Sequence, residues 1–131
     1  MRQRIRACFA LLVILLAAAS VWAHHNMSAL FDFNDRVTLT GTLTKFDWRN
    51  PHIALTVDAK GAEDQVQTWS VEGPPPGFFV SRDVKKIDFE SAFGKTVTAE
   101  VSRARDGSHS GLLRIITLPG GKVVSACPQN C

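Results

Sequence analysis

The 131-residue chain lacks internal repeats, low-complexity tracts and any linker that would divide it, so one core in one domain is expected. Clusters of Lys and Arg are missing too. Contacts to a phosphate backbone need such clusters, which excludes nucleic acid as a partner. Paired carboxylates, a Ser-His-Asp set and a phosphate-cradling glycine loop are also absent, and an enzyme is therefore the least favoured class. Ser108-His109-Ser110 comes nearest to a catalytic grouping. Neighbouring strand residues point to opposite faces, however, and the adjacent Asp106-Gly107 marks a polar hairpin. No apolar run is long enough for a membrane span: the longest, Ala7 to Ala19, falls short of the roughly 20 residues required.

That run belongs instead to a three-part N-terminus. Arg2, Arg4 and Arg6 precede it, and Val21 and Ala23 supply small residues at −3 and −1 of a cleavage site. Residues 1–23 thus read as a signal peptide, and the remainder as a periplasmic or secreted protein with no stable membrane anchor after cleavage. Cys8 lies inside the apolar stretch, away from the cut, so lipidation is not expected. Three of the 15 basic residues leave with the leader and all 12 acidic residues stay, so the formal charge of +3 vanishes on processing. In an oxidising compartment the remaining pair, Cys127 and Cys131, reads most simply as a local disulfide, and a soft-metal site is the lesser reading.

Period-2 alternation dominates the rest. In Val37-Thr38-Leu39-Thr40-Gly41-Thr42-Leu43-Thr44 every even position is Thr, the mark of a half-buried strand. After Leu43 the phase reverses, with Phe46 and Trp48 now apolar. Only a bulge or bend allows this, and it is expected between Gly41 and Lys45. Asn50-Pro51 turns the chain into a second strand with Ile53, Leu55 and Val57, and a third carries Trp69 and Val71. Pro74-Pro75-Pro76 stops it. Residues 78–93 read as a partly helical connection, followed by strands around Val97–Val101 and Leu112–Leu118 and a short last segment at Val123-Val124. The expected fold is all-β with small α content: a single five-stranded OB-like antiparallel barrel in β-β-β-α-β-β order. A small antiparallel sandwich is the runner-up. The expected boundaries are 24–35 for an N-terminal segment, 36–125 for the barrel and 126–131 for a C-terminal tail.

Histidine placement is the feature with chemical content. His24-His25 would open the processed chain, where the α-amine and imidazole of His24 can chelate one ion. His25, His52 or His109 could supply a third nitrogen, and such ligands suit Cu(II) first and Ni(II) or Zn(II) next. The metal ligands expected are His24, His25 and His52. Trp48, Trp69 and the phenylalanines at 78, 79, 89 and 93 read as core, with an apolar ligand cleft as the alternative.

Several elements together resemble a domain-of-unknown-function family of small exported bacterial proteins. They are His24-His25 after the cut, Phe31-Asp32, Val37 to Thr42, Trp48-x-Asn50-Pro51-His52, Trp69-x-Val71-Glu72, Arg105-Asp106-Gly107-Ser108 and Thr117-Leu118-Pro119-x-Gly121. The resemblance implies an exported β-barrel and supplies no activity. Asn26-Met27-Ser28 departs from the family where Ser is expected after the two histidines, and the Gly-Trp expected after the prolines is missing near Asp83-Val84. Two function classes follow: a periplasmic module binding a transition metal, or a non-metal OB-like interaction module that takes a partner protein or a small ligand, a saccharide or an apolar molecule, on the barrel face.

Overall fold

The computed structural model describes residues 27–61 and 64–127. A division into two units falls after Leu30. In the first, Met27–Leu30 form a helical turn, α1. The second is mostly β. Strand β1 spans Phe31–Asp47, β2 Ala54–Lys60, β3 Val66–Glu72, β4 Thr96–Ala104, β5 Ser110–Thr117 and β6 Val123–Ser125; helices α2, Pro76–Val80, and α3, Lys86–Glu90, lie between β3 and β4. Among the described residues no helix is long and apolar enough to cross a membrane.

Alternation decides what each strand buries. Leu39 and Leu43 of β1, Leu55 and Val57 of β2, and Trp69 and Val71 of β3 all face the core. In β1 the register with β2 slips between Leu43 and Lys45, leaving Thr44 as the extra residue of a bulge. This is the face switch that the reversed hydrophobic phase demands, and it turns Phe46 and Trp48 against the core edge. Just before it, a Cβ on Gly41 would stand 2.1 Å from the Asp58 carbonyl oxygen, so only glycine permits β2 to approach there.

The strands lie in the order β3-β2-β1-β4-β5-β6, with neighbours antiparallel. β3 and β5 also pair, in parallel, through Ser70–Glu72 and Ser110–Leu112. The hydrogen-bonded circuit β1-β2-β3-β5-β4 therefore returns to β1. Among the described residues the strand count is six, where the sequence pattern predicts five. Gly120 and Gly121, at φ 87° and 86°, reverse the chain so tightly that Val123–Ser125 returns to pair with Ile115–Thr117. β1 also starts at Phe31, within the stretch expected to precede the barrel, and its register with β4 slips between Phe31 and Arg36.

The connection after β3 is two helical turns. Pro76 stands in the first turn of α2, where its missing N–H is not needed. α3 is capped by Asp88, whose carboxylate accepts the Lys85 N–H and pairs with Lys122 Nζ, both at 2.8 Å. The Lys122 hydrogen bond, then that from Lys85, holds the Asp88 carboxyl below its ordinary value, with slight burial opposing. Phe79 and Phe89 project from these helices into the core with no exposed surface. Cys127 is disulfide-bonded, and Cys131 lies outside the described residues.

Candidate functional site

His52 is positioned by the turn between β1 and β2. The Asn50–Pro51 peptide is cis, and the residues that follow are clasped to the chain leaving β3: the Ile53 N–H donates to Pro74 O at 3.2 Å, and the Gly73 N–H to Ile53 O at 2.9 Å. Ala54 pairs with Glu72 in the β2–β3 ladder. The Glu72 side chain thereby meets His52, and its Oε1 accepts a hydrogen bond from His52 Nδ1. Both side chains are 37% exposed, so the pair is anchored yet reachable from solvent. A neutral imidazole that donates from Nδ1 to this carboxylate presents its lone pair at Nε2. This is the arrangement by which proteins fix the tautomer and direction of a ligating histidine.

His24 and His25 lie outside the described residues. His109 does not join His52. Its ring stacks on Trp69 at 5.2 Å, and its carbonyl accepts the Ser70 N–H at 2.9 Å. Trp69 faces the core, whereas Glu72 lies about 10 Å along β3 on the opposite face. Among the described residues no three His, Cys, Asp or Glu side chains form a group able to hold a metal ion. In the hairpin, Asp106 turns to the Ser108 N–H (2.9 Å), away from any Ser-His-Asp grouping, and Ser108 lowers the Asp106 pKa from its ordinary value.

The aromatic residues divide. Trp69, Phe79 and Phe89 are core, as the pattern predicts. Phe93 corrects that expectation at 60% exposed, because the chain at Gly94 is held to β1 by its N–H to Leu43 O at 2.8 Å, and the ring is left outside. Trp48 is half-buried against Phe79 and Phe89, at 5.6 and 5.5 Å between centroids. Asp47 beside it binds Arg49, raising the guanidinium pKa first by hydrogen bonding and then by charge.

Glu72 is the residue that sequence reasoning missed, singled out by neither its type nor its place at the end of β3. A signal existed: counting outward from the turn after Lys60, each residue of β2 meets its mirror position in β3, which sets 54 opposite 72 and 52 nearby. A family model described as a family of unknown function, DUF6152, matches residues 12–114. The match takes in His24-His25 and the Trp48-x-Asn50-Pro51-His52 element. No curated protein and no solved structure matches the chain.

Proposed function

Because the chain belongs to DUF6152, a family of unknown function, its activity has to be read from its own residues, and we propose an exported metal-binding module that takes Cu(II) through His24, His25 and His52. The observation that carries this reading is the His52–Glu72 pair, an imidazole already aimed by a carboxylate. Processing after Ala23 would add the α-amine and imidazole of His24, a chelating pair of the borderline nitrogen type that Cu(II) prefers. The module sits in the periplasm or is secreted. Its scaffold is an OB-like barrel: a long bent first strand, three strands before the helical connection and two after it, with β6 as an addition.

Calorimetric titration of processed protein with Cu(II) tests this against three variants. An extra Met ahead of His24 blocks the terminal chelate and should weaken binding strongly. His52→Ala should weaken it further, and Glu72→Gln about 10- to 100-fold, the usual effect of removing a carboxylate behind a ligating histidine. Binding should release protons and weaken in acid, since amine and imidazoles must be deprotonated to ligate. Equal affinities across all four proteins would eliminate the site and leave the non-metal interaction module.

A further inference from the structure

A second feature, independent of the histidines, lies where Phe93 emerges. Two clefts adjoin at Phe46, Asp47 and Phe93. One, of about 470 Å³, lies between the end of β1 and α3, with Trp48, Arg49, Lys86 and Glu90 on its walls. The other, of about 600 Å³, runs over the outer face of β1, β2 and β3, where Thr44, Thr56 and Ser70 present hydroxyls. Thr56 pairs with Lys45 on one side and Ser70 on the other, so these positions form a row across three strands. Adjacent strands lie about 4.8 Å apart, close to the length of one pyranose unit. The clefts meet because two backbone bonds, Gly94 N–H to Leu43 O (2.8 Å) and Leu43 N–H to Lys95 O (3.0 Å), pin the segment carrying Phe93 over β1.

The charges select among ligands. Arg49 is bonded to Asp47, and Lys86 Nζ to Glu90 Oε1 at 2.8 Å, so the aromatic cleft is lined by matched ion pairs. Lys45 adds one positive charge at the margin of the second cleft. An anion would meet too little unmatched charge to be held, and a wholly apolar ligand would strip water from these ion pairs without supplying a hydrogen bond in return. A sugar satisfies both kinds of lining. Its C–H face packs on an aromatic ring, and its in-plane hydroxyls both donate and accept, as the carboxylates, guanidinium and Ser/Thr hydroxyls require.

We propose that this composite groove binds a neutral oligosaccharide at least two units long. Phe93 and Trp48 are the stacking platforms, Asp47, Arg49 and Glu90 hydrogen-bond the first unit, and the Thr56–Ser70 row holds the continuation. The test is an amide chemical-shift titration of metal-free protein with cellotetraose, chitotetraose and maltotetraose at millimolar concentrations, repeated with Zn(II) as a diamagnetic stand-in for copper. At least one probe should give saturable shifts confined to residues 44–49, 54–56, 70 and 86–93 and to the Trp48 indole, with or without the metal. Phe93→Ala and Asp47→Asn should each weaken binding at least tenfold. Phe93 is largely exposed, so its variant should keep the parent melting temperature, and Val123→Ala, at an exposed position of β6, should bind as the parent does. No saturable shift with any probe, shifts elsewhere on the molecule, or unchanged affinity in both groove variants would overturn the proposal. So would binding of tetragalacturonate alone, since that would make the ligand an anion. Either result leaves the copper titration undecided, because the two sites share no residue.

Discussion

Trp69 shows what one side chain contributes at the closed end of the circuit. Its ring is 3% exposed, with His109 stacked on it and the Arg103 guanidinium 5.8 Å from its centroid. Truncation would open a cavity between β2 and β5 that the neighbouring strands cannot collapse to fill. Trp69→Ala should therefore cost about 3–5 kcal/mol in urea denaturation. Its place was legible, since Trp69 and Val71 alternate with polar neighbours and share a face. Trp48 and Phe93 were harder to read. Both are aromatic and lie near apolar residues in sequence, and nothing local distinguishes a ring that reaches the core from one that stops at its rim. The choice for Phe93 is made by backbone bonds to Leu43, a residue 50 positions earlier. The His52–Glu72 contact was legible only through the register of β2 on β3, counted outward from the turn after Lys60, and neither motif displays it by itself.

Among the elements, β1 was the most readable, because a reversal of hydrophobic phase inside one strand has few physical solutions. The bulge at Thr44 is the one found. Gly41 belongs to the same device. A methyl group there would collide with the Asp58 carbonyl and with Ala59 Cα, both backbone atoms that cannot rotate away. Gly41→Ala should destabilise the protein by about 3 kcal/mol, at the upper end for overpacking, with faster amide exchange concentrated in the β1–β2 pairing. Loss below about 0.5 kcal/mol would mean that the strands separate there without consequence. β6 was less legible. Three residues are too few to show a period, and only the paired positive-φ glycines hint that the chain doubles back.

For the whole molecule, the proposed export predicts where the protein begins. Intact-mass measurement of protein recovered from the periplasm should give a chain starting at His24, and a mass that retains residues 1–23 would contradict cleavage. The wiring of the sheet bears on how such a chain travels. β1 pairs along most of its length with β4, Val37 opposite Val101 and Leu39 opposite Ala99, while β2 covers only its second half. As the polypeptide emerges from the ribosome N-terminus first, the front half of β1 has no neighbour until about sixty further residues have been made. Closing so long a loop is entropically unfavourable and slow. The nascent chain is thus kept open late in its own synthesis, the state that the proposed export would require for threading through a narrow pore.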